Sequence, residues 1–473
     1  SIKGLIKKFS EFNNFFIILI FIILSLIINL KKSNENLEKF DKFHFNSYLN
    51  LKEHSFIKSD IHSIWNTASI FLNHDREGKK FFESGREYAR SYLPPIIVYI
   101  YFKLVDEDIK DVGNYTNEYV TGVKYKLNNS KFGLIIFQNI FYFLSLIIFY
   151  FNTKSFIPKN ILTIIILFLC FEPTISQWHT NFFTESIFLS LMILLITFLY
   201  NIKNTLISFF FLGLFVGVIY MQKNLGLYLI VPICIILFFV FKINALKNLP
   251  YLLLGFSIPI IFIGVHNNIR SGEFYFVPKH MKTAPYSYIQ HKIISNKLSI
   301  SETESLEIIK KNEENWIFKN NIDLNYELDR RKFYKYKQKI FIKAALDEPV
   351  FTLKYIVWKI MQSGILDPNY SYTFFKYQNN EKFWKYDNFR KNLYYKIIYS
   401  SLIYSISLLG LFVLFKHRNR KLITVSSTLI VFLTVVLGWV GVSRYFIPNL
   451  VPLSIFFGFG LNHILERMHI LRN

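Results

Sequence analysis

The chain has 473 residues, 52% hydrophobic, 19% aromatic and 18% charged. Soluble globular domains sit below half apolar and carry about a quarter charged residues, so this composition is that of a membrane protein. Against 32 Asp and Glu stand 55 Lys and Arg, a formal charge of +23, but the basic residues flank long apolar runs instead of forming a hydrophilic basic domain, which argues against a nucleic-acid partner.

A bilayer core of about 30 Å calls for about 20 apolar residues per crossing helix, with about 17 a practical minimum. In chain order the runs near that length are Phe12–Leu30, Phe132–Phe151, Ile157–Phe171, Phe183–Tyr200, Leu206–Tyr220, Leu225–Phe241, Pro250–Val265, Ile397–Phe415, Leu422–Val440 and Tyr445–Ile464. They predict an all-α, polytopic transmembrane protein of about 10 spans. The first run has no small-residue cleavage site after it, so it reads as an uncleaved signal anchor. The only cysteines, Cys170 and Cys234, lie inside apolar runs and support neither a disulfide framework nor a zinc site.

Leu93–Val105 is too short for a span, and orientation decides how it is read. With Lys3, Lys7 and Lys8 in the cytoplasm and Leu93–Val105 along the outer membrane surface, the basic hairpin Lys416-His417-Arg418-Asn419-Arg420-Lys421 also falls inside, as the positive-inside bias requires. Two long segments are then extracytoplasmic, residues 31–131 and 267–396, each containing membrane-surface helices. Short outer loops follow at Glu172–Phe182, Met221–Asn224 and Gly441–Arg444, and residues 397–464 carry the last three spans. With no linker, repeat or low-complexity tract, residues 1–473 read as one membrane domain.

In the first outer loop Ile61, Ile64, Trp65, Ala68, Phe71 and Leu72 recur at helical spacing, placing Asp60 at the start of an amphipathic helix, where an N-cap role is open to it. In the second, Phe351–Met361 is apolar enough to lie on the membrane. Glu185 opens a span from outside, where an acid also suits the helix dipole. Arg444 opens the last run from the same side, where topology bias and dipole both disfavour a cation, which points to a functional role. Arg270 and Lys223 also stand at outer membrane edges; a guanidinium offers phosphate a bidentate fork, while Lys223 has an alternative reading as a snorkelling side chain. Arg86, Glu87 and Arg90 precede Tyr92-Leu93-Pro94-Pro95, whose prolines fix where the chain meets the membrane.

These residues fall into a family pattern. Ser59-Asp60-Ile61-His62, Glu87-Tyr88, Tyr92-Leu93-Pro94-Pro95, Glu172-Pro173, Thr184-Glu185, Asn268-Ile269-Arg270-Ser271-Gly272 and Ser443-Arg444-Tyr445-Phe446-Ile447-Pro448 with Pro452 resemble, in order and loop placement, the C-type integral-membrane glycosyltransferases. The branch most similar is the protein O-mannosyltransferase and lipid A aminoarabinose transferase group. The resemblance implies a multi-pass enzyme of the cell membrane, in bacteria the inner membrane, with its active site facing the periplasm. It implies transfer of a sugar from a polyprenyl-phosphate carrier to a protein, lipid or glycan acceptor, with Asp60 as the essential acid of the first outer loop. Glu185 matches a second acidic position and Arg444 the arginine of the late Arg-Tyr motif, which includes Tyr445. Many relatives carry two acids in the first loop; here His62 stands two residues after Asp60, and a divalent metal held by Asp60, His62 and Glu87 stays open.

The chemistry agrees. A phosphate is already a good leaving group, so one base and a cationic cradle suffice, unlike the two carboxyl groups of glycoside hydrolysis. Asp60 would accept the acceptor proton in a single inverting displacement, Arg444, Arg270 and Lys223 would stabilise the departing phosphate, and Glu185 or His62 would orient the acceptor. A lipid-linked oligosaccharide polymerase or ligase shares many of these features but needs no acid in the first outer loop. A flippase or transporter would place ionisable residues or helix breaks near mid-membrane, where this sequence has almost none.

Overall fold

A computed structural model describes residues 15–33, 64, 68, 91–105, 128–180, 184–277, 289–324, 327–367, 393–438 and 446–468. Among these residues the chain is helical, with no strand. In chain order the helices are α1 (Phe15–Ser33), α2 (Leu93–Val105), α3 (Asn128–Thr153), α4 (Lys159–Phe171), α5 (Pro173–Ser176), α6 (Thr184–Asn201), α7 (Leu206–Gln222), α8 (Ile230–Phe241), α9 (Leu249–Ser271), α10 (His291–Leu298), α11 (Glu302–Lys319), α12 (Glu327–Asp347), α13 (Pro349–Ser363), α14 (Leu393–Lys416), α15 (Arg420–Gly438) and α16 (Leu450–Arg467).

Over their described residues the ten predicted runs are mostly helical, as they must be if lipid offers no partner to a backbone amide. Six helices are long and apolar enough to cross a membrane by themselves: 15–33, 133–153, 184–201, 249–269, 393–416 and 447–467. A seventh crossing is available if α4 and the segment Pro173–His179, bent by 46°, are taken together, while 206–222 and 230–245 are shorter apolar helices. The outward side chains fit lipid: α1 exposes Phe16, Ile17, Ile20, Ile23, Leu24 and Ile27. In contrast α6 and α16 are buried on nearly every side, forming the centre of the bundle with Phe188, Met192, Leu195, Leu453 and Phe456. Helices α14 and α16 pack backbone to backbone at Gly410 and Gly460, where a Cβ on either would run into the carbonyl of Phe456 or Ile406 opposite.

Chain reversals divide the bundle into two ends. At one lie the turns after α3, α6, α8 and α14, including the basic hairpin, tied by a 2.7 Å hydrogen bond between Tyr200 Oη and Ser426 Oγ and by Asn248 Nδ2 donating to Asn204 Oδ1 at 2.8 Å. At the other lie the starts of α6 and α16, the ends of α7 and α9, and the helical layer of residues 289–367. Here they are called the hairpin end and the loop end.

Helix α2 has 13 residues, about 20 Å at 1.5 Å per residue and short of a bilayer core. It packs on α7 and the start of α3, with Val98 and Phe102 inward. Of the amphipathic pattern after Asp60, Ile64 and Ala68 are described; both are helical and buried in the bundle core. The stretch Glu172–Phe182 departs from the expected plain loop. Pro173 sits at the first helical position and the Glu172 carboxylate accepts from the Ile175 amide at 2.7 Å, so a new helical turn starts immediately after α4 ends and runs on through a 3-10 turn to His179.

In the large loop α11 starts at a capping box. Ser301 Oγ accepts from the Glu304 amide and the Glu304 carboxylate accepts from the Ser301 amide. Trp316 stacks on Tyr336 at 4.4 Å between ring centroids, closing α11 against α12. Helix α13 buries Thr352 and Ser363 towards the body and exposes Val350, Leu353, Val357, Trp358 and Met361 on its other face. Its Ile360 and Ser363 pack on Gly438 at the end of α15.

Candidate functional site

Of the residues singled out in the sequence, Glu185, Lys223 and Tyr92 are described, and Arg270 stands on the last turn of α9. Asp60, His62, Arg86, Glu87, Arg444 and Tyr445 lie outside the described residues.

The structure brings Glu185 and Lys223 together. Glu185 occupies the first turn of α6, with its side chain 2% exposed, and Lys223 ends α7, with its side chain 14% exposed; Nζ and Oε1 are 3.2 Å apart. A carboxylate this buried needs a partner, and both the ammonium and the amino-terminal end of α6 supply positive potential. Thr184 Oγ1 donates to Glu185 Oε2 at 3.1 Å, and the Lys223 ammonium lies 5.1 Å from the Phe188 ring centroid. Beside them Gln222, fully buried, donates to the Thr184 carbonyl at 3.1 Å.

The start of α6 is fixed from beneath. His179 Nδ1 and Ser186 Oγ share a 2.7 Å hydrogen bond. The His179 carbonyl accepts from Asn139 Nδ2 at 2.8 Å and Gln138 Nε2 at 3.3 Å, and Asn29 Nδ2 reaches Asn139 Oδ1 at 3.4 Å. The turn at His179 is thereby held against α3 and the start of α6. No single residue type announced this: His179, Gln138 and Asn139 are ordinary polar residues in apolar runs, and only the meeting of α1, α3 and α6 gives them a role.

Tyr92 joins the same end of the bundle. Its hydroxyl donates to Asn267 Oδ1 at 2.6 Å, its ring meets His266 edge-on at 5.7 Å, and it packs with Tyr220 and Ile263. Asn267 is one turn before Arg270 and Tyr220 one turn before Lys223. The ends of α2, α7 and α9 therefore converge where the start of α6 places its acid, and two of the predicted cationic positions stand there.

A second polar group lies at the loop end. Lys396 Nζ pairs with Asp367 Oδ2 at 2.7 Å, Gln177 Nε2 donates to the Asp367 carbonyl at 3.0 Å, and the Tyr399 hydroxyl donates to Glu172. Glu172 was visible in the Glu172-Pro173 motif, whereas Asp367 and Lys396 gave no sequence signal. Among the described residues no group of three His, Cys, Asp or Glu side chains is placed to hold a metal ion, and the set Asp60, His62 and Glu87 lies outside them. Cys170 is buried, Cys234 half-buried, and both are free thiols.

An acid at a helix start faces a lysine at a neighbouring helix end within a multi-pass apolar scaffold. Residues 116–266 match the protein family described as dolichyl-phosphate-mannose-protein mannosyltransferase. The match spans roughly a third of the chain, from before α3 to His266, and includes Glu172, Glu185 and Lys223. It supports the C-type glycosyltransferase family, and with it a multi-pass membrane glycosyltransferase of the kind that uses lipid-linked sugar donors. No curated protein matches the chain.

Proposed function

We propose that this protein transfers a sugar from a polyprenyl-phosphate carrier to an acceptor hydroxyl at the loop end of the bundle, which faces away from the cytoplasm. The observation that carries the reading is the Glu185–Lys223 pair at the convergence of α2, α6, α7 and α9, inside the stretch that matches the family.

In this reading the acceptor oxygen attacks the anomeric carbon as the bond from that carbon to the carrier phosphate oxygen breaks. The acceptor proton passes to the Asp60 carboxylate, and the electron pair leaves with the polyprenyl phosphate. One displacement inverts the anomeric centre, and no general acid is required because the leaving phosphate is already stable as an anion. Arg444 and Arg270 supply the bidentate forks that suit phosphate oxygens. Lys223 adds a point charge, with Glu185 fixing its position and screening it while no carrier is bound. Asp60, His62 and Glu87 carry the donor atoms that would hold a divalent ion, whose charge would assist the same phosphate. The acceptor, whether protein, lipid or glycan, reaches the site from the aqueous side, and membrane lipids surround the apolar faces.

The test is turnover of a radiolabelled polyprenyl-phosphate sugar by the full chain in nanodiscs, for the parent and for Asp60→Asn. Asn caps a helix nearly as well as Asp, so the substitution removes the base and spares a cap. Loss of transfer by at least about 100-fold at unchanged melting temperature is the expected result. Near-normal turnover returns Asp60 to a capping role and removes the base from this mechanism.

A further inference from the structure

Helix α9 ends at Gly272, whose left-handed backbone (φ 76°) turns the chain back while its amide donates to the Asn268 carbonyl at 2.8 Å. A side chain would strain that conformation, so the reversal is written into the glycine. Residues 273–277 then run back across the loop end as a short strap, each part of it held by a different element. The Tyr275 carbonyl accepts from Asn267 Nδ2 at 2.7 Å, and Asn267 in turn accepts from Tyr92. The Phe276 carbonyl accepts from the Tyr220 hydroxyl, and the Phe276 side chain packs against the cluster of Tyr92, Tyr220 and Ile263.

Among the described residues, Arg331 links the outer layer to this strap. Arg331 of α12 lays its guanidinium over the Tyr275 ring, 3.5 Å from the centroid, and its Nη1 pairs with Glu273; its side chain is 13% exposed. The planar guanidinium does both at once, stacking by its face and pairing by its edge. A lysine at that position offers a single point charge and would satisfy one partner only.

We propose that Arg331 is a positioning residue for the carrier-phosphate site. Through Tyr275 and Phe276 it presses the strap onto Asn267 and Tyr220, and those residues stand one turn before Arg270 and Lys223. The α11–α12 hairpin and the two cationic helix ends thereby move as one body, and carrier affinity depends on a residue that never touches the carrier. This inference rests on the donor-site reading given above.

The experiment uses the full chain in neutral-lipid nanodiscs and polyprenyl phosphate as the probe. Binding, donor KM and kcat, and amide exchange across 272–277 are measured for the parent, Arg331→Gln, Tyr275→Leu, the double variant and the milder Arg331→Lys. Arg331→Gln and Tyr275→Leu should each weaken probe binding and raise donor KM about tenfold, with kcat changed less than about twofold. Exchange across 272–277 should quicken in both while the melting temperature of the empty protein moves little. The double variant should be no worse than either single one, because both cut the same link. Arg331→Lys should fall between parent and Arg331→Gln, and it keeps the question answerable if the glutamine variant does not fold. Faster exchange with unchanged affinity makes the contact merely structural and overturns the proposal, as does no change in either quantity. A parent that fails to bind polyprenyl phosphate overturns the donor-site reading itself and takes the positioning role with it, whereas a binding parent with unaffected variants sinks Arg331 alone.

Discussion

The two most deeply buried lysine–carboxylate pairs among the described residues lie at the loop end, and they are built differently. Asp367 and Lys396 are 2.7 Å apart, each with a side chain 11% exposed, and join positions 29 residues apart, one just after α13 and the other in the first turn of α14. Several groups around them are hydrogen-bonded. The Asp367 carbonyl takes the Gln177 amide at 3.0 Å, the Leu366 amide donates to Ser400 Oγ at 2.8 Å, and the Gly364 carbonyl takes the Tyr404 hydroxyl. The Glu185–Lys223 pair is longer, 3.2 Å, and its neighbour Gln222 leaves its amide oxygen without a hydrogen bond among the described residues. The first pair ties the segment after α13 to α14 and to the turn at Gln177, whereas the second joins the start of α6 to the end of α7 inside the stretch that matches the family. The same two residue types thus serve packing in one place and, in the reading proposed here, chemistry in the other.

The comparison breaks most visibly at Lys396. Lys396→Met leaves Asp367 buried without its ammonium, and removing one member of a buried pair costs about 3–5 kcal/mol. The melting temperature of the purified protein should fall sharply, and the double variant Asp367→Leu with Lys396→Met should recover most of the loss. If the single variant melts like the parent, the pair is no clamp and the contrast with Glu185–Lys223 disappears.

Lys223→Gln should show the opposite balance. Polyprenyl-phosphate binding should weaken about tenfold, roughly 1.4 kcal/mol, while the melting temperature falls much less than for Lys396→Met, because Thr184 and the helix dipole still face Glu185. Binding at parental strength would make this pair structural as well.

A third set, half open to water, supplies the smallest effect and grades the comparison by burial. His291 approaches Glu302 at 3.8 Å, while Lys292 pairs with the same carboxylate. Burial first, then the neighbouring Lys292 charge, hold the His291 pKa below its ordinary 6.5; Lys359 adds to the lowering and Glu302 opposes it. The folded state therefore prefers the neutral ring. Stability is complete above about pH 6.5 and declines as pH falls from there towards the lowered folded pKa, because the unfolded chain takes up the proton first. Amide protection factors in α10 and α11, referenced to the intrinsic exchange rate at each pH, should fall modestly between pH 7 and pH 5.5, on the order of twofold to fivefold, and His291→Gln should flatten that dependence. A flat profile in the parent would show that His291 titrates as a solvated group.

The sequence by itself determined the class of architecture. The ten apolar runs are helical over most of their described residues, since a backbone surrounded by lipid has no other way to satisfy its amides. It also determined local endings such as the Ser301–Glu304 capping box, the proline starts at Pro173 and Pro349, and the left-handed turn at Gly272, because each depends on neighbours a few residues away. Helix limits drifted where polar residues kept helical spacing: the run ending at Val265 continues through Asn267 and Asn268 to Ser271, and the run beginning at Leu225 becomes a regular helix only from Ile230. Within the candidate site, Glu185 and Lys223 stood out by position at membrane edges, but their pairing did not, since the partners are 38 residues apart and meet only when α6 packs against α7. Arg331 was hidden among Asp329-Arg330-Arg331-Lys332, where nothing local separates a solvated cation from one that stacks on Tyr275. A lone side chain states its chemistry in the sequence, but which partner satisfies it is decided by helices that pack side by side from distant parts of the chain, and only the tertiary structure holds that information.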